Sequence, residues 1–143
     1  MYCTCQDVRD ASELLEDANV IADDSITPVI LKAQGRIDSA LKARYTVPLV
    51  EPVPEIIKSI AQDMAAGMLI SKTFSNQLGQ DQINLSNQYL KRADNDLALV
   101  IKEQQLDGMP GIKLASQPGA DTTPAMSSTT PHRSPIEGII KEW

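Results

Sequence analysis

The stretch Pro54-Glu55-Ile56-Ile57-Lys58-Ser59-Ile60-Ala61-Gln62-Asp63-Met64-Ala65-Ala66-Gly67-Met68-Leu69 decides the fold. Ile57, Ile60, Ala61, Met64, Ala65, Met68 and Leu69 recur at intervals of three and four, the period of a helix that buries a broad face. A half-buried strand would alternate at intervals of two. The pattern predicts a central helix from Pro54 to about Ser75, and Ala65, Ala66 and Gly67 are small enough to let another helix approach closely.

The same reading extends in both directions. Upstream, Tyr45 to Pro54 holds Pro48, Pro52 and Pro54, which remove amide donors and disfavour helix in each preceding residue, so this segment is an extended connector. Before it, Thr27-Pro28 has the form of a cap hydroxyl followed by proline at the first helical position, with Ile30, Ala33, Ile37 and Leu41 on one face and an end near Arg44. Thr4 and Asp7 have capping-box spacing and open a helix of about a dozen residues through Val8, Ala11, Leu14 and Leu15. Downstream of a turn at Leu78-Gly79, a fourth helix is expected from about Asp81 to Leu106. Leu90, Ala93, Leu97, Val100 and Ile101 form its inner side, and Gly108 lies past its end. The expected fold is all-α: a small bundle of about four helices, residues 1–108, with an extended C-terminal tail.

The tail divides in two. Residues 109–133 are rich in Pro, Ser and Thr, a composition that buries too little apolar surface to offset its ordering entropy, and read as an extended linker. Residues 134–143 change character again. Ser134 and Glu137 have capping-box spacing, and Ile136, Ile139, Ile140 and Trp143 fall at i, i+3, i+4 and i+7. A helix this short is marginal in water, and Gly138 costs it about 1 kcal/mol more, so it forms on docking. Full burial of the one tryptophan, at ~25 cal/mol per Å² over ~200 Å², is worth about 5 kcal/mol as an upper bound. We therefore read Ile136, Ile139, Ile140 and Trp143 as partner-docking residues. Docking as a strand on a sheet edge, folding back onto the same body, and no specific role are the alternatives.

Composition limits the function classes. The 143 residues are 42% hydrophobic, 22% charged and 3% aromatic, with a net charge of −6. That suits one globular domain without staples, and an acidic chain has no bulk attraction for nucleic acid. No basic segment followed by an apolar run opens the sequence, and no apolar run approaches the ~20 residues that cross a bilayer, so neither secretion nor membrane spanning is expected. Cys3 and Cys5 are one residue apart and suit a reducing compartment better than a disulfide framework. They also lack the further ligands of a zinc site.

Catalysis is not expected. The single histidine, His132, lies in the Pro/Ser/Thr-rich tail. Asp7, Asp10, Glu13, Glu16, Asp17, Asp23 and Asp24 form an acidic stretch relieved only by Arg9, but a calcium loop starting at Asp17 would place Ala22 where glycine belongs and Pro28 where the bidentate glutamate belongs. A solvated acidic face is the plainer reading. The sequence contains no phosphate-binding glycine loop and no basic aromatic platform. No metal site and no cofactor are expected.

The order of motifs resembles a known family. Met1-Tyr2-Cys3-Thr4-x-x-Asp7-Val8, the block Ile37-Asp38-x-x-Leu41-x-x-Arg44-Tyr45-x-x-Pro48-Leu49, and Val53-Pro54 leading into Ile60-Ala61-x-Asp63-Met64-Ala65 are similar to the head-tail connector (adaptor) proteins of tailed phages, especially the Mu-like group. The likeness covers about residues 1–108. It implies a structural virion protein at the neck, made in the host cytoplasm, that assembles as a homo-oligomeric ring, a dodecamer, between the portal protein and the adjacent neck or tail component. DNA would pass through such a ring without specific binding, and an acidic wall suits that passage. Tyr45, Pro48 and Leu49 are then fold-determining turn residues. The long extension past Gly108 departs from the Mu-like pattern, and its residues point to docking on a neighbour, the portal first among them. The competing reading is a cytoplasmic interaction module that binds a partner through its C-terminal peptide.

Overall fold

The computed structural model describes residues 1–17, 21–74 and 79–115. Four α-helices follow one another: α1 (Cys5–Asp10), α2 (Asp23–Leu41), α3 (Glu55–Thr73) and α4 (Gln80–Lys102), with a single 3₁₀ turn at Glu13–Leu15 after α1. Among the described residues there is no strand, only one antiparallel bridge between Tyr45 and Leu114. The fold is all-α, as the apolar periodicity predicts. No described helix is long and apolar enough to cross a membrane.

The central helix is α3. Ile57, Ile60, Ala61, Met64, Ala65, Ala66, Leu69 and Ile70 are all buried, walled by α2 on one side and α4 on the other. Helix α4 crosses α3 closely at Gly67. The Ser86 hydroxyl donates to the Gly67 carbonyl at 2.8 Å, and a Cβ on Gly67 would stand 2.9 Å from Leu90 Cγ and 3.1 Å from the Ser86 carbonyl oxygen. Glycine at 67 is therefore a steric requirement, which is the close approach that the small residues of this helix suggest.

Three boundaries differ from expectation for identifiable reasons. The α1 capping box forms, with Asp7 N donating to Thr4 Oγ1 at 3.2 Å and Thr4 N to Asp7 Oδ2 at 2.7 Å. The helix nevertheless stops at Asp10, because Ser12 turns extended and caps a new 3₁₀ turn that drives Leu15 into the core. Helix α2 begins four residues before Thr27, at Asp23. Asp23 and Asp24 occupy its positive end, Ile26 becomes fully buried, and Thr27 Oγ1 donates to the Asp23 carbonyl instead of capping. Pro28 thus lies in the second turn, where its missing N–H removes only one helical bond close to the helix end. Helix α4 ends at Lys102, and the chain then turns through Gln104 and Gly108, both at positive φ, while Leu106 stays fully buried.

Candidate functional site

The block on which the family likeness rests is a set of struts. Ile37 and Leu41 are buried in the core. Asp38 accepts from the Tyr2 hydroxyl, and that same hydroxyl oxygen accepts the Leu49 N–H at 2.7 Å, so one phenol ties the N-terminus, α2 and the proline connector together. Burial, then the Asp38 hydrogen bond, raises the Tyr2 pKa well above the usual tyrosine range. Arg44 and Tyr45 both hold Asp107: Arg44 Nε reaches Oδ1 at 3.2 Å, Arg44 Nη2 bonds Oδ2, and Tyr45 Oη donates to Oδ1 at 2.7 Å. The Arg44 guanidinium, and after it the Tyr45 hydroxyl, hold the Asp107 carboxyl below the usual carboxylate range. Of the expected turn residues, Tyr45 and Leu49 are buried at the turn, whereas Pro48 is exposed.

A second strut joins α3 to α4. Asp63, 8% exposed, receives a fork from Arg92, with Nε to Oδ2 at 2.6 Å and Nη2 to Oδ1 at 2.5 Å. The same guanidinium lies 5.2 Å from the centre of the Tyr89 ring, and the Tyr89 hydroxyl donates to the Ala11 carbonyl at 2.6 Å. Asp63 belongs to the quoted Ile60-Ala61-x-Asp63 motif, but its partner Arg92 lies on α4, where the neighbouring Tyr89 reaches the α1 exit. No local pattern announces them.

The chain leaves the body at a defined place. Thr46 N donates to the Lys113 carbonyl and Ala115 N to the Arg44 carbonyl, both at 2.8 Å, so residues 113–115 lie antiparallel against the end of the α2 turn. Gly111 packs against the connector, where a Cβ would meet the Val50 carbonyl oxygen at 2.9 Å. Val50 and Leu114 are exposed on these two segments. The expected docking residues Ile136, Ile139, Ile140 and Trp143, the rest of the linker and His132 lie outside the described residues.

Elsewhere, among the described residues, three helices build a groove. Its volume is about 420 Å³. Pro28, Val29 and Lys32 of α2, Met68, Ser71 and Lys72 of α3 and Leu90 of α4 line it. These residues come from positions far apart in the chain, so their convergence is not legible from any one stretch.

The acidic stretch is divided among separate tasks. Asp7 caps α1, Asp10 accepts from Gln6 Nε2 at 2.7 Å, and Asp23 pairs with Arg9. Among the described residues no group of three or more His, Cys, Asp or Glu side chains converges on a point where a metal ion would sit. Burial, with the nearby Asp7 charge, pushes the Cys3 thiol up to about 11, which suits packing rather than nucleophilic attack.

Against known proteins, no curated sequence and no solved structure matches the chain. The model of one family, described as bacteriophage Mu, Gp36, matches residues 2–110. That span takes in all four helices and both strut systems, from Tyr2 through Asp107, and most of the chain's length. The chain belongs to the bacteriophage Mu Gp36 family.

Proposed function

We propose that this protein is a structural, non-catalytic head-tail adaptor of the virion. In this reading the helical body assembles as a ring, a dodecamer, between the portal protein and the next neck or tail component, and the C-terminal segment secures the joint by docking on a neighbour. The observation that carries the reading is membership of a Mu phage family across the whole described helical body. Two features support it. The body spends its hydrogen-bonded side chains on holding helices and connectors together, as a load-transmitting subunit requires. The remaining chain departs from a backbone-pinned point at Ala115, which gives a tail a fixed origin. Many weak tail contacts in a closed ring reinforce one another through effective concentration.

The test is attachment. A chain truncated after Ser134 is expected to keep its folded body and to lose most of its attachment to portal-bearing capsids. Undiminished attachment refutes the docking role. Quantitative mass spectrometry of purified virions separates this reading from a host-cytoplasm interaction module, because an adaptor is present there in stoichiometric copies.

A further inference from the structure

We propose that the groove between α2, α3 and α4 receives the segment 136–143 of the same chain in the free subunit, so that the docking segment is stored on its own body until a neighbour displaces it. The inference rests on the reading of this segment as a docking element and adds where it lies before assembly. Pro28 and Val29 of α2, Met68 of α3 and Leu90 of α4 give the groove an aliphatic lining. Met68 belongs to the apolar stripe of α3, whose other members Ile57, Ile60, Ala61, Met64, Ala65 and Leu69 are all buried, yet Met68 itself is buried only in part. Leu90 is likewise buried only in part, and it stands against Gly67 where α3 and α4 cross. The segment presents Ile136, Ile139, Ile140 and Trp143 at i, i+3, i+4 and i+7, the spacing by which an amphipathic helix lays one face into a groove. Other concavities of the described body suit it less. One along α4 is lined mainly by charged and amide side chains, Lys91, Arg92, Asn95 and Asp96 among them, and one at the start of α2 by Arg9, Asp23 and Asp24 beside Ala22.

Length selects the chain's own segment. Ala115 N is bonded to the Arg44 carbonyl just past the end of α2, and the groove takes Pro28, Val29 and Lys32 from that same helix, about 20 Å away at ~1.5 Å per residue. Twenty residues, 116–135, separate Ala115 from the segment. Twenty residues of coil have a root-mean-square reach of roughly 22–27 Å, so linker and span match. At that match the segment meets its own groove at an effective concentration in the millimolar range, and a second copy competes only when the protein itself is that concentrated. A segment with an affinity of only about 0.1 mM for the groove is then docked in its own chain roughly nine-tenths of the time. Assembly changes the balance, because a ring brings neighbouring surfaces to comparable effective concentration.

Trp143 is the only tryptophan, so its emission reports the segment directly in the full-length chain. In a second preparation, p-benzoylphenylalanine in place of Trp143 reports what the segment touches, by photo-cross-linking and peptide mass. Chains of natural and heavy-nitrogen composition, refolded together, distinguish contact within a chain from contact between chains. The expected result is a blue-shifted emission that does not change on dilution from roughly 100 µM to 0.1 µM, with cross-links to the groove around Met68 and Leu90 in single-isotope products. Met68→Glu, which sets a carboxylate in the groove, and Ile139→Ser with Ile140→Ser, which leaves the described body untouched, should each move the emission red and cut the groove cross-link by roughly tenfold or more. The cross-link in the natural body decides even where Met68→Glu disturbs folding, which circular dichroism reports. Mixed-isotope products, or an emission that reddens on dilution, overturn the proposal in favour of a second copy's segment. Cross-links within one chain but away from the groove, or a blue emission that Met68→Glu leaves unmoved in a folded body, overturn the groove. A red emission without cross-links overturns storage altogether, and attachment through the tail still stands or falls on the truncation experiment, so the two readings fail separately.

Discussion

Gly67→Ala and Gly35→Ala form a matched pair with opposite expected signs. Both glycines lie inside long helices, and replacing a mid-helix glycine by alanine contributes about 1 kcal/mol through helix propensity when nothing else changes. At Gly35 nothing lies within 4 Å of the added Cβ, so the propensity gain stands alone and the melting temperature should rise by about 4 °C. At Gly67 the same atom meets Leu90 Cγ at 2.9 Å and the Ser86 carbonyl oxygen at 3.1 Å. Neither neighbour is the free end of a flexible side chain, so α4 must shift outward and the Ser86 hydrogen bond to the Gly67 carbonyl lengthens. Overpacking of this kind costs roughly 1–3 kcal/mol, which exceeds the propensity gain and leaves a net loss of about 1 kcal/mol. Thermal melts followed by far-ultraviolet circular dichroism, checked by urea titration, measure both variants. If Gly67→Ala stabilises as much as Gly35→Ala, the two helices do not cross at the distance described and the argument for glycine at 67 fails.

Asp107→Asn should flatten the acid limb of stability. The lowered carboxyl of Asp107 contributes stability fully present above the ordinary aspartate value near ~4 and lost as pH falls through its folded value, so urea midpoints should drop more steeply below pH ~4 in the natural chain than in the variant. Arg92→Ala strands the nearly buried Asp63 carboxylate and should cost roughly 2–3 kcal/mol in urea unfolding; Arg92→Lys, which keeps the charge without the fork, should recover only part of it. Cys3 should resist a thiol-specific reagent at pH 8 until the chain unfolds, and rapid labelling at position 3 in the native protein, read by peptide mass, would contradict its burial.

The helices were legible because their signal is local and repeated. Ile57, Ile60, Ala61, Met64, Ala65 and Leu69 recur at the helical period and are all buried, so the period locates that face; Ala66, off the stripe, is buried as well, and Met68, on it, only in part. Thr27-Pro28 misleads because a cap signal is local, whereas the helix start is decided by burial of Ile26 and by the two aspartates before it. The struts were legible at one end only. Tyr45 and Asp63 stand in recognisable motifs, but Asp107 lies 62 residues from Tyr45 and Arg92 lies 29 from Asp63, and no spacing rule links such pairs. The groove escapes notice for the same reason, being assembled from three helices.

This division has a consequence for where the specificity of the protein resides. The residues that mark the family are consumed internally: Asp38 by Tyr2, Arg44 and Tyr45 by Asp107, Asp63 by Arg92. They define a body and leave its neighbours unspecified. The family match stops at residue 110, and the chain is pinned immediately beyond it through its own backbone groups, with Thr46 N donating to the Lys113 carbonyl, Ala115 N to the Arg44 carbonyl and the Thr46 hydroxyl to the Leu114 carbonyl. Backbone pairing places almost no demand on side-chain identity beyond that point. A tail attached in this way can change its sequence without disturbing the struts, while the groove floor, being shared with the core through Val29, cannot change freely. Under the proposed docking role, sequence change in residues 116–143 alters the choice of neighbour on a body whose hydrogen bonds are already committed.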